Sequence, residues 1–287
     1  DQMAEGHAYY AASGFDVSED NKLLAYGVDL VSRRQYTIYV KNLETGEILK
    51  DAILNTEGDP CWANDNKTIF YTSKNPVTLL SEKIQRHTLG TDTAADALVY
   101  EEKDKSNYIG VGKSKNNKFI FIVSNATMSS EWRMIDAGKP NDSFQVFQPR
   151  MKDVLYDVIT LSDKFLIRTN KDDAKNFKLM ECQLGKTEAS NWKEVIPVRN
   201  DVLIQGVEEF KDFIVINERK DGLVKLRIRS LKDNNEHYLD FGEPTYAANF
   251  GANPEYNSTT LRYGYTSLTT PSSVYDYNMI TKVKTLK

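Results

Sequence analysis

Few residues in this chain of 287 have the type and spacing that catalysis or metal binding requires. The three histidines, His7, His87 and His237, are far apart in the sequence, which disfavours a multi-histidine metal site. The two cysteines, Cys61 and Cys182, form no C-x-x-C pair, so neither a metal ribbon nor a dithiol redox centre is indicated. We therefore predict no metal ion and no cofactor, and we expect both cysteines to be buried and unreactive.

Nucleophile and phosphate-binding motifs are also missing from the sequence. The nearest approach to the G-x-S-x-G elbow of hydrolases is Gly112-Lys-Ser114-Lys-Asn116, which lacks the final glycine. No H-E-x-x-H, P-loop or G-x-G-x-x-G pattern is present. The 41 acidic residues leave a glycosidase-type carboxylate pair open, so a self-contained hydrolase stays a third hypothesis. We predict that the chain itself carries no catalytic residue.

Composition restricts the classes of partner. The chain has 37 Lys and Arg against 41 Asp and Glu, a net charge of -4, and an isoelectric point near 5.6, which argues against a dedicated nucleic-acid binder. One basic stripe, Lys225, Arg227 and Arg229, is interpreted as the solvated face of an outer strand. No apolar run approaches the roughly 18 residues that a membrane span needs. We expect neither nucleic acid nor membrane as a partner, and a cytoplasmic location.

A repeated turn organises the chain. Three segments superpose residue on residue, each a polar turn followed by an apolar run: 18–26, 63–71 and 114–122. Asp and Asn favour such turns because they tolerate left-handed backbone angles and bond their own main chain. Looser copies follow, and the residue after the turn recurs every 45 to 51 residues, at Lys22, Lys67, Lys118, Lys164, Asp212 and Thr260.

Each turn is followed by a second pair of predicted strands, which gives six units of four strands. Short strands that repeat every 40 to 50 residues are typical of β-propeller blades. We predict an all-β fold, a β-propeller of about six four-stranded blades, in one domain without an internal linker. The predicted repeats of this domain, 1–287, are 13–50, 57–101, 107–147, 153–197, 202–243 and 245–287.

Several longer segments resemble a known family. Gly14-Phe-Asp-Val-Ser-Glu-Asp-Asn21, Trp62-Ala-Asn-Asp65, Arg86-His-Thr-Leu-Gly-Thr91 and Leu261-Arg-Tyr-Gly-Tyr-Thr-Ser-Leu-Thr-Thr-Pro271 are similar to the propeller of oligopeptidase B-type (protease II-type) members of the prolyl oligopeptidase family of serine peptidases. The similarity runs in order along essentially the whole chain. It implies a seven-bladed propeller of which this chain holds six blades, with the first blade and the α/β-hydrolase domain outside it.

The resemblance also implies a function and partners. In the family the propeller caps a hydrolase domain, which carries the serine triad and the acidic pocket for Arg or Lys. No position of this chain matches either feature. The first hypothesis is therefore a non-catalytic gating domain that filters substrates by size, with the hydrolase domain of the same polypeptide as partner and short basic peptides as substrates. The alternative is a free-standing propeller that serves as a protein- or peptide-binding scaffold.

Three positions are candidates for the interface between the two domains. By resemblance, Glu57 occupies the place of a propeller glutamate that pairs with an arginine of the catalytic domain, and Arg33 or Arg34 resembles a basic residue near the same interface. A solvated loop carboxylate is the alternative for Glu57. Because exposed ion pairs contribute little to stability, we expect Glu57 to act by closing the two domains on each other.

Overall fold

Strands account for nearly all of the regular structure in the computed structural model, which describes residues 2–287. Three short 3-10 turns, at Gln2–Ala4, Thr93–Ala95 and Ala189–Asn191, are the only helical elements in that range. No helix there is long and apolar enough to cross a membrane. The predicted all-β class is confirmed.

The strands follow one another in groups of four. The first two groups are β1 (Ala11–Val17), β2 (Leu23–Asp29), β3 (Tyr36–Asn42), β4 (Ile48–Thr56), β5 (Cys61–Trp62), β6 (Thr68–Lys74), β7 (Ser81–Thr88) and β8 (Ala97–Glu101). The middle two are β9 (Tyr108–Lys113), β10 (Phe119–Asn125), β11 (Ser130–Asp136), β12 (Gln145–Gln148), β13 (Tyr156–Thr160), β14 (Lys164–Thr169), β15 (Lys178–Gln183) and β16 (Lys193–Ile196). The last two are β17 (Leu203–Glu209), β18 (Phe213–Lys220), β19 (Leu223–Ser230), β20 (Glu236–Tyr238), β21 (Tyr246–Phe250), β22 (Thr260–Ser267), β23 (Ser273–Asn278) and β24 (Lys284–Leu286).

Each group is an antiparallel meander in which sequence neighbours pair. Strands β9 to β12, β13 to β16, β17 to β20 and β21 to β24 form four separate four-stranded sheets. Strands β1 to β8 form one continuous sheet, because Thr56 at the end of β4 pairs with Ser73 of β6. Four-stranded antiparallel sheets in series are the architecture of a β-propeller, while the repeat boundaries and the number of blades in a complete ring stay predictions.

The repeated polar turns connect the first and second strands of each early repeat. Asn21, Asn66 and Asn117 have φ angles of 61°, 58° and 59°, the left-handed region that asparagine tolerates. A side-chain oxygen caps each turn; for example, the Ser114 hydroxyl accepts the amide of Phe119 at 3.0 Å. The predicted hairpins are confirmed at all three places.

The chain divides into two compact units, residues 1–152 and 153–287. In each unit the second strand of a repeat buries its two faces in two different cores. In unit 1, Ile69 and Tyr71 of β6 pack with strands β2 to β4, whereas Phe70 packs with β10 and β11. In unit 2, Ile214 and Ile216 of β18 likewise join one cluster, and Val215 joins another.

A buried histidine connects the first two repeats. The His87 side chain is fully buried, with Nδ1 2.7 Å from Asp96 Oδ1 and Nε2 3.0 Å from Asp51 Oδ1. Tyr71 donates its hydroxyl to the second oxygen of Asp96 at 2.8 Å, and the Gly90 amide donates to Asp51 at 2.6 Å. Both ring nitrogens are thus within hydrogen-bond distance of a carboxylate, one from each of the two repeats.

The interpretation of the basic stripe as a solvated outer strand is wrong for Arg227. It lies on β19, the third strand of its repeat, and is only 9% exposed. Its guanidinium is 2.6 Å from Glu218, which is itself 1% exposed and also pairs with Arg199. Arg227 therefore belongs to a buried ion pair, because the Glu218 carboxylate on the neighbouring strand requires cationic partners.

We expect the substitution His87→Gln to lower the free energy of unfolding by about 3–5 kcal/mol, since it removes the imidazole that contacts the carboxylates of Asp51 and Asp96 in a buried environment. Denaturant unfolding measures the loss. His237→Gln is the matched control, because His237 makes one hydrogen bond, at 2.9 Å to the Tyr277 hydroxyl, and faces no carboxylate in the described contacts. Equal losses of unfolding free energy in the two variants would contradict a stabilising role for the contacts of His87 with Asp51 and Asp96.

Candidate functional site

The connections between strands in unit 1 fall at two opposite ends of its sheets. Because strands alternate in direction, the loops between second and third strands share one end with the loops that link successive repeats. We call this the Glu57 end; it comprises 30–35, 57–60, 75–80, 102–107 and 126–129. The opposite end, which includes the turn 43–47, is called the Leu43 end.

Glu57 is held in place by its own unit. Lys74 Nζ lies 2.6 Å from Glu57 Oε2, and the Ser81 hydroxyl donates to the same oxygen at 2.9 Å. The Lys74 side chain is 6% exposed, against 39% for Glu57. No partner of Glu57 Oε1 is found within residues 2–287. One carboxylate oxygen is thus fixed, and the other has no partner among the described residues.

The main chain around Glu57 is an interrupted strand. The Glu57 amide donates to the Thr72 carbonyl at 3.0 Å, and strand pairing resumes at Cys61 opposite Phe70. Residues 58–60 lie between these two points and leave the sheet. An insertion of this kind redirects side chains, and it directs Asp59 away from the ladder.

Three glycines fix the position of this insertion. Gly58, with φ at 91°, packs against Gly14 and Gly27 so closely that a Cβ on Gly27 would lie 2.6 Å from the Gly58 Cα. A Cβ on Gly14 would lie 1.8 Å from the Gly58 carbonyl oxygen. The ring of Tyr36 closes the other side, 2.6 Å from where a Gly58 Cβ would be. Only glycine fits at positions 14, 27 and 58, where the main chains of β1, β2 and the insertion are in contact.

Asp59 is a second carboxyl group at the Glu57 end, next to the insertion that Gly58 begins. Partial burial and the neighbouring charge of Glu57 raise the pKa of Asp59 above its ordinary value. In the described part of the chain it has no hydrogen-bond or ion-pair partner. An unpaired carboxylate of this kind is suited to bind a cationic group.

Arg33 and Arg34 lie at the same end as Glu57. Both are exposed, and neither guanidinium forms an ion pair with any residue from 2 to 287. The loop that holds them is ordered by Asp29, which is 1% exposed and whose Oδ2 accepts the Arg34 amide at 2.8 Å. The structure therefore places the three predicted interface residues at one end of unit 1.

Sequence reasoning missed the groups that hold Glu57. Lys74 and Ser81 come from β6 and β7, and nothing in their local sequence indicates a shared partner 17 and 24 residues away. The sequence does indicate that Asp59 lies in a loop, because Gly58-Asp-Pro60 interrupts an apolar repeat and such an interruption is typical of loops.

Two of the grooves in the described part of the chain have volumes of about 340 Å³ each. One lies beside the Glu57–Lys74 pair; its lining residues include Leu54, Asn55, Ser73, Pro76 and Gln85. The other is in unit 2 beside Cys182, whose pKa is raised by burial to about 11. Burial also raises the pKa of the Cys61 thiol, so both cysteines are poor nucleophiles. No group of three or more metal-ligating side chains occurs within residues 2–287.

We expect Gly27→Ala to destabilise the protein by about 1–3 kcal/mol and to shift the amide resonances of residues 57–59, because the added methyl group overlaps Gly58. Gly110→Ala is the matched control, since a Cβ there, also in a strand, meets nothing within 4 Å. Thermal unfolding and NMR spectra of both variants test this, and a neutral Gly27→Ala would show that the crossing is loosely packed.

The comparisons with known proteins agree with this architecture. Residues 1–287 match the family described as prolyl oligopeptidase, N-terminal beta-propeller domain. Dipeptidyl aminopeptidase BI from Pseudoxanthomonas mexicana is 44% identical over 96% of this chain and 38% of its own length. Protease 2 from Moraxella lacunata is 31% identical over 99% of this chain and 40% of its own length.

Two solved structures have the same fold along the whole chain. Oligopeptidase B from Leishmania major superposes with a TM-score of 0.93 at 25% identity, over 99% of this chain and 41% of that one. Oligopeptidase B from Trypanosoma brucei, in a closed form with covalently bound antipain, gives 0.91 at 27% identity, with the same coverage of both chains. The chain thus spans about two fifths of the relatives that it matches. It belongs to the prolyl oligopeptidase family, as the N-terminal β-propeller domain of that family.

Proposed function

We propose that this chain is the non-catalytic gating propeller of a serine peptidase of oligopeptidase B type, which cleaves short peptides after Arg or Lys. The observation that carries the proposal is Glu57, a carboxylate with one oxygen fixed by Lys74 and Ser81 and the other open. A fixed acceptor at an exposed end is preorganised for an arginine on another domain.

The gating role concerns access to a hydrolase domain, which the propeller covers or uncovers. Closure excludes water and completes the catalytic geometry, whereas opening admits peptide. Folded proteins are too large to pass between the two domains, so the propeller restricts substrates by size. In this proposal the six repeats belong to a seven-bladed ring, and the enzyme works in the cytoplasm.

The relatives support the peptidase class. The Trypanosoma brucei enzyme is described as oligopeptidase B in a closed form with covalently bound antipain. A closed form is the state in which an interdomain pair involving Glu57 would be made. The alternative, a free-standing scaffold, requires only that some protein bind the same exposed end.

A second candidate activity is the removal of dipeptides from free N-termini. The specific observation is the 44% identical relative named dipeptidyl aminopeptidase. Such an enzyme must recognise a peptide α-ammonium group, which needs an anionic partner. Asp59 fits this role, because it is an unpaired carboxylate beside Glu57 with a raised pKa.

We expect Glu57→Gln, in the full-length enzyme, to lower kcat/KM for a fluorogenic peptidyl-arginine substrate about tenfold, which corresponds to about 1.4 kcal/mol of lost interaction. Lys74→Met is the matched variant, because it breaks the same internal pair but keeps the carboxylate. Glu44→Gln, at the Leu43 end, controls for charge. Wild-type kcat/KM in Glu57→Gln would contradict the interdomain role, and a smaller loss in Lys74→Met than in Glu57→Gln is expected because the carboxylate is kept but no longer fixed.

We expect Asp59→Asn to raise KM about tenfold for peptides with a free N-terminus and to leave acetylated peptides unchanged, because only the former present an ammonium group. Asp104→Asn, in the connection 102–107, is the control for a carboxylate at the same end. If Asp59→Asn affects both kinds of peptide equally, endopeptidase activity after basic residues is the better assignment.

A further inference from the structure

The groove beside Cys182, in unit 2, is lined mainly by cationic and neutral polar side chains. It lies within a single repeat, between the start of β14, the end of β15 and the segment that leads into β16. Its volume of about 340 Å³ is at the lower end of the range of small-molecule sites, roughly 300–1,000 Å³. Three lysines and one glutamate leave a net charge of +2 in its lining: Lys164, Lys186, Lys193 and Glu181.

Two of the three lysines have no anionic partner. Lys164 Nζ lies 2.7 Å from Glu181 Oε2, so the charges of this pair cancel. Lys186 and Lys193 are exposed, and neither ammonium group forms an ion pair or a hydrogen bond with any residue from 2 to 287. A concave surface with excess charge of one sign concentrates counter-ions. The groove therefore attracts anions through these two ammonium groups.

The nearest carboxylates in the sequence do not cancel this charge. Glu188 and Glu194 belong to the same segment, but neither is among the lining residues of the groove. Glu194 Oε2 lies 3.7 Å from the ammonium group of Lys178, which is outside the groove. The positive charge of the lining is thus not compensated from its rim.

Neutral polar side chains complete the lining. Gln183, Ser190 and Asn191 lie in the groove, and their side chains form no hydrogen bond with the residues that the structure describes. They offer amide N–H and hydroxyl donors. Together with two ammonium groups, such donors are suited to the oxygens of phosphate or carboxylate groups, because hydrogen bonds to an ionised acceptor are the strong ones.

The wall of the groove is ordered by contacts of its own repeat. The Trp192 side chain is 7% exposed; its Nε1 donates to the Thr187 carbonyl at 2.7 Å, and its ring packs 5.5 Å from that of Tyr156. The Lys186 amide donates to the Gln183 carbonyl at 3.1 Å, which closes the turn that carries Lys186. An ordered wall lowers the entropic cost of binding.

The groove beside Glu57 shows that unpaired lysines are not a general property of grooves in this fold. It has the same volume, and its lining also contains two lysines, Lys74 and Lys83. Each of them has a carboxylate partner, Glu57 at 2.6 Å and Glu101 at 3.7 Å. An excess of unpaired positive charge therefore distinguishes the groove beside Cys182 from the one beside Glu57.

We propose that the groove beside Cys182 binds a small, multiply charged anion through Lys186 and Lys193. Two ammonium groups fit a ligand with at least two negative charges, and Gln183, Ser190 and Asn191 donate to its remaining oxygens. The volume restricts the ligand to a small molecule. This inference goes beyond the proposed function and does not depend on it.

The test is calorimetric titration of the 287-residue chain with pyrophosphate and, separately, with citrate. We expect one site with a Kd below about 1 mM at low ionic strength for at least one of the two anions. Added NaCl weakens the binding, because salt screens the ammonium groups. The tighter probe shows whether phosphate or carboxylate groups are preferred. In NMR spectra we expect the amide shifts to be confined to the groove, chiefly residues 183–193.

Two variants of the groove and one matched control identify the site. We expect Lys186→Gln/Lys193→Gln to raise Kd about tenfold or more, because both ammonium groups are lost. Gln183→Glu raises Kd as well, since it places a carboxylate in the groove. The control Lys103→Gln/Lys105→Gln changes the net charge by the same amount in the connection 102–107, and we expect it to leave Kd unchanged. Thermal midpoints show that each variant is folded.

Three results would overturn the inference. The first is that neither pyrophosphate nor citrate binds. The second is an equal rise in Kd in the two double-lysine variants, which would mean that the anion responds only to overall charge. The third is a set of amide shifts outside the groove, which would place the anion elsewhere. None of these results bears on the gating role, which the kinetics of Glu57→Gln decide.

Discussion

The fold depends on second strands that are apolar on both faces. In β6 and β18 successive residues alternate between two cores, so each strand lies at the centre of a layer covered on both sides by neighbouring repeats. A sheet of this kind exposes a large apolar face when it stands alone, which is why propeller repeats are stable only in series. The polar groups of the candidate site accordingly lie at the ends of the sheets, where the strands stop.

The Glu57 end shows how a rigid site is built on such a scaffold. Gly14, Gly27 and Gly58 bring two main chains into direct contact, and the insertion at residues 58–60 leaves the sheet at that crossing. Lys74 and Ser81 then fix the Glu57 carboxylate from the next repeat. Backbone packing thus sets the position of the loop, and an ion pair and a hydrogen bond then fix the Glu57 carboxylate. A propeller can in this way hold a carboxylate firmly on a loop.

The sequence carried enough information for the fold class but only part of the site. The turns at Asn21, Asn66 and Asn117 are local, because the side-chain oxygens of Asp20, Asp65 and Ser114 accept amides of the same turn, so the repeat was visible without tertiary information. Arg227 was misjudged because its partner, Glu218, lies on a neighbouring strand. The partners of Glu57 were not predicted for the same reason, since contacts between strands cannot be inferred from local composition.

The continuity between the first two repeats has a consequence for how this domain can be recombined. Thr56 pairs with Ser73, Gly58 packs on Gly14 and Gly27, and His87 lies between Asp51 and Asp96. A crossover placed between repeats one and two would disrupt main-chain pairing, a glycine contact and the buried contacts of His87 with two carboxylates together. A chimeric domain built from two family members should therefore take residues 11–101 from one parent as a single module.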